Sequence, residues 1–270
     1  MSNPADSLYN IRILDEFADK KSIIHDVHPL MKVLTTGAYL LVTVSFSNYE
    51  LSGMLPLIFY PVIIMTLADI PMVPVFKRVL LALPLIIGIG LFNPIYDKSP
   101  MLVLPWITIS GGWVSFFAIL IKGFLTILAA LILIATTGMT RIASALRTIR
   151  IPGVFIIQLL LTYRYIAVLV EEAGRIVRAY SLRSAGEKGI KFRDWGSLTG
   201  HLLIRSIERA QRVYRSMCCR GFTGEYHIGR EKGIGIGDIL YFAGWSLSFV
   251  IIRYFNIPEM IGWVMMGVRR

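Results

Sequence analysis

The sequence predicts an all-α, polytopic membrane protein with about five transmembrane helices, and its composition, apolar runs and charge distribution all favour this class. Of the 270 residues, 55% are hydrophobic and the mean hydropathy is +0.65, whereas soluble domains hold roughly 45–50% apolar residues. Several apolar runs approach the roughly 20 residues that a helix needs to cross a bilayer. The net charge of +11 comes from cations between these runs, which indicates cytoplasmic loops rather than a nucleic-acid-binding surface.

The predicted elements begin with a polar cytoplasmic segment at residues 1–32. This segment lacks the apolar core of a cleavable signal peptide, so none is expected. Residues 33–150 follow as four transmembrane helices with their loops, and residues 236–270 hold the last span and a C-terminal segment. The third span is short and borrows from the apolar residues 73–76 before it. Totals of four or six spans are the alternatives. The predicted spans are residues 33–47, 51–67, 79–92, 113–137 and 236–255.

The loops between the spans predict their orientation, because cytoplasmic loops carry an excess of lysine and arginine. Cations cluster before the first span, between the second and third, and after the fourth, whereas the alternate loops hold only Lys98, which Asp97 opposes. The N-terminus is therefore expected on the cytoplasmic side of the plasma membrane. The clustered cations are Lys20, Lys21, Lys32, Lys77, Arg78, Arg141, Arg147 and Arg150.

The apolar run at residues 151–170 is ambiguous, since its length allows another span. A crossing there would place residues 171–232 outside, although they hold thirteen Lys and Arg against seven Asp and Glu. It would also put Arg164 within the bilayer, where a charge costs roughly 2.5–3.5 kcal/mol on insertion scales. We therefore predict that residues 151–235 form a cytoplasmic helical domain inserted before the last span, with entry of residues 151–170 into the lipid from the cytoplasmic side as an alternative. We call it the coupling domain.

Two helices of this domain are predicted to end in the same arginine pattern. The stretches RIVRAYSLRS (175–184) and RVYRSMCCRG (212–221) begin 37 residues apart and carry arginine at the same three positions. Apolar residues upstream step by four and three positions, which predicts a narrow apolar seam on each helix. The seams are Ile166, Val170, Ala173, Val177 and Tyr180 on the first helix and Leu203, Ile207, Ala210, Tyr214 and Met217 on the second.

Each of these helices is predicted to present an arginine beside a helix stop, because small residues follow Arg183 and Arg220. Arginine suits a fixed acidic pocket, since its planar fork pairs bidentately with a carboxylate. The repeated spacing therefore suggests docking onto two copies of a soluble partner, whereas each helix alone also fits a solvated surface or an anionic lipid surface. Helical ion pairs are expected between Glu171 and Arg175 and between Glu208 and Arg212.

These residues resemble a known family, the T components of energy-coupling factor transporters, which carry two Ala-Arg-Gly signatures. Arg183 with Ser184 and Arg220 with Gly221 are similar to the two signatures, although the first reads Leu-Arg-Ser and the second Cys-Arg-Gly. Three further stretches narrow the resemblance to CbiQ, the T component of cobalt uptake systems. They are LTYRYIAVLVEE (161–172), IRSIERAQRVYRSMCCRGFTGE (204–225) and HPLMK (28–32), which is similar to the family's Asp-Pro-Arg-x-Lys.

The resemblance implies a non-catalytic scaffold in the bilayer that links two cytoplasmic P-loop ATPases (CbiO-like) to a metal-binding membrane subunit (CbiM-like), with a small CbiN-like subunit as a further partner. ATP would be used by those partners, no cofactor would be bound by this chain, and cobalt or nickel would be the transported ion. A vitamin or another micronutrient is the alternative substrate. The docking residues implied are Arg183, Ser184, Arg220 and Gly221, with Arg178 and Arg215 as secondary candidates.

No nucleotide or metal site is expected in the chain itself. The P-loop pattern G-x-x-x-x-G-K-[ST] is absent, and GIGIGD (233–238) does not match G-x-G-x-x-G. His25 and His28 lie three residues apart near the membrane surface, where ordinary interfacial roles are favoured over metal binding. Cys218 and Cys219 are expected to be small apolar residues near the docking tip.

Lys122 lies about ten residues into the fourth apolar run. It is either an intramembrane functional residue or, as we favour, an interfacial one, with the span beginning near Gly123 and the lysine reaching the outer surface. A membrane-embedded lipid enzyme is a less favoured function, since the cytoplasmic Asp and Glu are dispersed rather than clustered as metal ligands. A stand-alone permease would need polar residues in several spans, and few occur.

Overall fold

The computed structural model describes residues 17–20, 22–47, 49–97, 100–103, 108–184, 189–224 and 233–255. Much of the predicted N-terminal and C-terminal segments therefore lies outside the described residues. The chain divides into two compact units. We call residues 17–138 and 232–270 the membrane unit, and residues 139–231 the hairpin unit.

The membrane unit consists mainly of apolar helices, which confirms the predicted all-α, polytopic class. α5 begins at Met72, so the residues before the third predicted span do join it. The second predicted span is broken by a 3-10 turn at Leu55–Ile58. The helices are α1 (Ile23–Asp26), α2 (Pro29–Ser45), α3 (Leu51–Met54), α4 (Phe59–Leu67), α5 (Met72–Gly90), α6 (Phe92–Tyr96), α7 (Gly111–Thr137) and α11 (Ile236–Tyr254).

A small β-hairpin lies between α6 and α7, in a segment that the sequence analysis treated as a loop. β1 (Pro100–Val103) pairs antiparallel with β2 (Thr108–Ser110). The pairing satisfies backbone groups between two apolar helices, where unpaired N–H and C=O groups would be costly.

α7 lies at the centre of the membrane unit, since α2, α4, α5 and α6 pack on it, and α11 packs on α2. The close approach of α5 and α7 depends on two glycines. A Cβ added at Gly123 would lie 2.7 Å from Ile86 Cδ1, and one added at Gly90 would lie 2.9 Å from Phe116 Cδ2. Small residues of this kind let helices in a membrane pack closely.

The hairpin unit contains α8 (Met139–Thr148), α9 (Gly153–Arg183) and α10 (Phe192–Cys219). α8 packs on α9 and α9 packs on α10. α9 begins directly after Pro152, where a proline is tolerated because the first helical turn leaves its N–H groups unpaired. The hairpin unit begins at residue 139, whereas the predicted coupling domain begins at residue 151. α8 therefore belongs to the same compact unit as the two predicted coupling helices and not to the unit of the preceding spans.

Four helical stretches of the described residues are long and apolar enough to cross a bilayer, and two shorter helices are also apolar. One of the four is α9, whose first part is the ambiguous run at residues 151–170. Length and composition alone therefore permit α9 to cross, so its placement has to be argued from its neighbours. The four are Met72–Tyr96, Gly111–Thr137, Gly153–Arg183 and Ile236–Tyr254, and the shorter two are Pro29–Ser45 and Leu51–Leu67.

Candidate docking site

The two arginine tips lie at opposite ends of a helical hairpin. α9 and α10 run antiparallel, because Tyr180 Oη donates to Asp194 Oδ2 at 2.7 Å near one end, while Arg205 pairs with Glu172 further along. Arg183 is the last residue of α9 and Arg220 is the C-cap of α10. Because α10 has 28 residues, the tips are separated by about 40 Å at a rise of ~1.5 Å per residue.

The first tip ends in a serine cap. Ser184 donates its backbone N–H and its hydroxyl to the carbonyl oxygen of Tyr180, both at 3.0 Å. Arg183 is exposed beside this cap. It borders a cleft of about 670 Å³ that Lys191 and Asp194 of α10 also line. The Ser184 hydroxyl therefore adds a second hydrogen bond to a carbonyl that the last helical turn already pairs, at the position where the signature has glycine.

The second tip ends in a glycine turn. Gly221 has φ +80°, its N–H donates to the Cys218 carbonyl at 3.0 Å, and the Phe222 N–H donates to the Met217 carbonyl at 3.1 Å. These two bonds form a Schellman motif, which needs a left-handed residue and so favours glycine. The glycine after Arg220 is thus explained by the backbone, and Arg220 itself is exposed.

Glu172 is a site residue that the sequence analysis missed. Its carboxylate binds Arg175 at 2.8 Å and also pairs with Arg205 of α10, and its side chain is only 11% exposed. The sequence analysis assigned Arg175 to Glu171, but the structure pairs it with Glu172. Helical spacing predicts partners on the same helix, whereas Arg205 lies 33 positions away and no local pattern could identify it.

The apolar seam predicted on α10 is wrong in its first half. Leu203 and Ile207 are 60% and 50% exposed. Ala210 and Met217 do line an apolar groove against α9. α10 instead turns towards α9 a face that includes Ser206 and Arg209, with Arg205 at its edge reaching Glu172. The other residues on that face are Leu202 and Val213.

The secondary docking candidates, Arg178 and Arg215, are both exposed, one on each helix of the hairpin. Near the second tip, a hydrogen bond with Cys218 raises the pKa of the Tyr214 hydroxyl. Cys218 and Cys219 are exposed free thiols.

The HPLMK motif connects three helices of the membrane unit. His28 Nδ1 accepts from the Leu30 N–H at 3.2 Å and caps α2, and the His28 N–H donates to Asp238 Oδ1 of α11 at 2.9 Å. Lys32 is 2% exposed and donates to the Thr136 carbonyl, at the end of α7, at 3.1 Å. A cation is favoured at a helix C-terminus, so this lysine stabilises the junction of α2 with α7.

Lys122 contacts the far end of α2. Its Nζ donates to the Phe46 carbonyl at 2.6 Å, and Phe46 is the C-cap of α2. Arg253, at the end of α11, donates to the Ser45 carbonyl at 3.2 Å and lies over the Phe46 ring at 4.7 Å. Lys122 is thus bound to the end of α2, which Arg253 of α11 also contacts, and its interfacial placement stays a prediction.

The part of the chain that the structure describes contains no group of three or more His, Cys, Asp or Glu residues placed to hold a metal ion. The ring of His25 contacts Ser22 Oγ at 2.8 Å and the Phe17 carbonyl at 3.0 Å, and His28 caps α2. Both rings therefore make structural contacts near the start of the first span.

A family model described as CbiQ, cobalt transport protein, matches residues 20–229 of this chain. The match includes both arginine tips, the hairpin between them and the predicted spans other than the last.

Several curated proteins are similar to the chain. An uncharacterized protein of Methanocaldococcus jannaschii is 25% identical over 258 residues, which are 90% of this chain and 92% of that protein. The cobalt transport protein CbiQ of Rhodobacter capsulatus is 31% identical over 97 residues, 36% of this chain and 40% of that protein. A putative fused cobalt transport protein CbiMQ of Methanocorpusculum labreanum is 32% identical over 99 residues, 36% of this chain and 16% of that protein.

Proposed function

We propose, from the fact that this chain belongs to the CbiQ family of cobalt transport proteins, that it is the membrane-embedded T component of an ATP-driven cobalt or nickel uptake system. It would connect two cytoplasmic CbiO-like ATPases with a CbiM-like metal-binding membrane subunit and a small CbiN-like subunit. The relative named as a fused CbiMQ supports the connection with CbiM, because its name joins the two parts in one protein.

The observation that carries this proposal is the hairpin with an exposed arginine at each end. A single docking tip would serve one partner, whereas two tips about 40 Å apart suit two separate ATPase subunits. The backbone at each tip is defined by the residue that follows the arginine, Ser184 or Gly221, so each arginine leaves the chain from an ordered helix end. Arginine held in this way is suited to a preformed acidic groove.

The hairpin also supports a cytoplasmic location for α9. Arg164 and Tyr165 of α9 line the same cleft as Arg209 and Arg212 of α10. If this part of α9 crossed the bilayer, the neighbouring part of α10 would carry its arginines into the hydrocarbon, at several kcal/mol in total (roughly 2.5–3.5 for each). The cost is avoided when both helices lie on the cytoplasmic side.

In the proposed mechanism, ATP binding and hydrolysis change the distance or angle between the docking grooves of the two ATPases. Arg183 and Arg220 follow the grooves, and the hairpin transmits the movement to the membrane helices that hold the metal-binding subunit. Packed helices are suited to such movement because they shift as units. The chain itself supplies mechanical connection and no catalytic group.

The test is co-purification of the ATPase subunits with tagged variants of the chain. We expect Arg220→Ala and Arg183→Ala each to reduce ATPase recovery, and the double variant to abolish both recovery and metal uptake, while membrane insertion persists. Losing a charge-assisted hydrogen bond costs about 1.5–3 kcal/mol, so each single change should weaken docking by at least tenfold.

Arg141→Ala is the matched control, because Arg141 is an exposed arginine of α8 in the same unit and lies away from both tips in sequence. Its ATPase recovery should equal that of the wild type. Normal recovery and uptake by the double variant would contradict the docking proposal.

A further inference from the structure

A cleft at the second end of the hairpin concentrates positive charge. It has a volume of about 580 Å³ and lies between the first part of α9 and the last part of α10. Arg164 of α9 lines it together with Arg209, Arg212 and Arg220 of α10. We call it the arginine cleft.

The described residues that line the arginine cleft include no Asp or Glu. The nearest carboxylate among the cavity-lining residues, Glu172, lines a separate cavity with Arg209 and Arg212 and is paired with Arg175 and Arg205. Arg212 reaches Glu208 only at 3.8 Å, and both side chains are more than half exposed, so this contact is weak. Four guanidinium groups around one cavity repel one another and favour an anion that several of them can bind at once.

A second, apolar groove of about 470 Å³ lies between the same two helices and shares part of its lining with the arginine cleft. Ile157, Leu161, Val213 and Met217 line both cavities. Phe222 closes the groove beyond the glycine turn. A ligand that fills both cavities therefore needs an anionic group at one end and an apolar chain at the other.

In sequence, both helices at this end of the hairpin are joined to predicted spans by short segments. Gly153 follows the end of α7 by 16 positions (137 to 153), and α11 begins 16 positions after Arg220 (220 to 236). Val154 and Phe155, at the start of α9, are 70% and 68% exposed. Exposed apolar residues next to arginines are typical of helices that lie at a membrane interface.

We propose that the arginine cleft binds the phosphate of an anionic glycerophospholipid of the cytoplasmic leaflet, with an acyl chain in the adjoining groove. Arg164, Arg209 and Arg212 hold the phosphate, while Arg220 at the same end remains the docking residue of the proposed function. Basic pockets beside membrane helices on the cytoplasmic side are known to bind anionic head groups. The lipid would anchor one end of the hairpin at the membrane surface while the ATPases move the tips.

The test compares three probes on the purified full-length chain by native mass spectrometry: phosphatidylglycerol, phosphatidylcholine and glycerol 1-phosphate. We expect phosphatidylglycerol to bind more tightly than both others, because it alone supplies a net anionic head group together with acyl chains. Equal binding of phosphatidylcholine would overturn the proposal, since the arginines would then contribute nothing. Equal binding of glycerol 1-phosphate would also overturn it, since the site would then be a phosphate site without a lipid.

The variants are Arg164→Gln, Arg209→Gln and Arg212→Gln, with Arg193→Gln as the control. Arg193 is an exposed arginine at the other end of α10, so its loss lowers the net charge equally without touching the cleft. Each cleft variant should weaken phosphatidylglycerol binding by about fivefold, whereas the control should not change it. If all four variants weakened phosphatidylglycerol binding equally, the lipid would be attracted only by the net positive charge of the protein, and the proposal would be overturned.

ATPase co-purification with the same variants separates this proposal from the docking proposal. We expect Arg164→Gln and Arg209→Gln to retain the ATPases, since they leave both tips intact. If these variants lost the ATPases and kept full phosphatidylglycerol binding, the cleft would be part of the ATPase interface and the lipid proposal would be wrong. The docking proposal depends instead on Arg183 and Arg220, so each idea can fail without the other.

Discussion

At the scale of single residues, the docking motif is defined by how its helices end as much as by its charge. Gly221 is needed because the turn after Arg220 requires φ +80°. Ser184 instead ends α9 with a hydroxyl bond to the Tyr180 carbonyl. The two arginine motifs thus end their helices differently, one in a Schellman turn and the other in a serine bonded back to its own last turn.

The cap at Gly221 can be tested by substitution. Gly221→Ala should destabilise the turn by about 1–2 kcal/mol, because a residue with a Cβ is strained in the left-handed region. An added Cβ at this position would meet no atom within 4 Å, so the effect would come from the backbone and not from a clash. ATPase recovery should fall, as Arg220 would no longer leave the chain from an ordered helix end.

Gly221→Asn is the control for this change, because asparagine is tolerated in the left-handed region. It should retain most of the ATPase recovery. If the alanine and asparagine variants both behaved like the wild type, the turn would have no role in docking.

At the scale of helices, Glu172 links α9 with α10. A double-mutant cycle with Glu172→Gln and Arg205→Gln should show a coupling free energy for unfolding of the hairpin. The exposed pair Glu208 and Arg212, at 3.8 Å, provides a matched cycle with Gln at both positions. We expect the coupling in the first cycle to be the larger, because Glu172 is shielded and also binds Arg175.

Both couplings should shrink as salt is added, since ionic screening weakens pairs that water can reach. Equal coupling in the two cycles would mean that Glu172 does not set the packing of the hairpin.

The packing of α5 on α7 makes a separate prediction about the membrane unit. Gly123→Ala should lower stability by about 1–3 kcal/mol, the usual cost of overpacking, because the new Cβ would lie 2.7 Å from Ile86 Cδ1. Thermal unfolding in detergent measures the effect. Adding Ile86→Val, which removes that Cδ1 atom, should recover part of the lost stability.

Gly37→Ala in α2 is the control, because a Cβ there would meet nothing within 4 Å. It should be neutral or slightly stabilising, since alanine favours a helix over glycine. Similar losses at Gly37 and Gly123 would show that the close approach of α5 and α7 is unimportant.

At the scale of the whole molecule, the function depends on which side of the membrane the hairpin occupies. Cys218 and Cys219 are exposed and are the chain's two cysteines. A membrane-impermeant maleimide should therefore label the wild-type chain in inside-out vesicles and not in intact cells. Labelling of intact cells would place the arginine tips outside and would contradict both proposals.

The outer side can be probed in the same experiment. In a chain with Cys218→Ser and Cys219→Ser, Tyr49→Cys places a thiol at a position that is 47% exposed in the loop after α2. This variant should be labelled in intact cells. The chain with only the two serine substitutions should not be labelled at all.

The amino-acid sequence alone determined the membrane class, the apolar runs and the two arginine-bearing helix ends. These features are local: hydropathy marks an apolar run as suited to lipid, and a small residue after the last helical turn marks the end of a helix. The helix of the third predicted span does take in residues 73–76, since it begins at Met72, and α10 does end at the glycine turn.

Only the tertiary structure decided that the tips lie at opposite ends of one hairpin, that Arg205 pairs with Glu172, and that four arginines surround one cleft. Helical periodicity fixes which residues share a face, but it does not say which face meets a neighbouring helix. That choice depends on the rotation and register of two helices. It is made by contacts between residues far apart in sequence, such as the ion pair across 33 positions, which accompanies the exposure of Leu203 and Ile207.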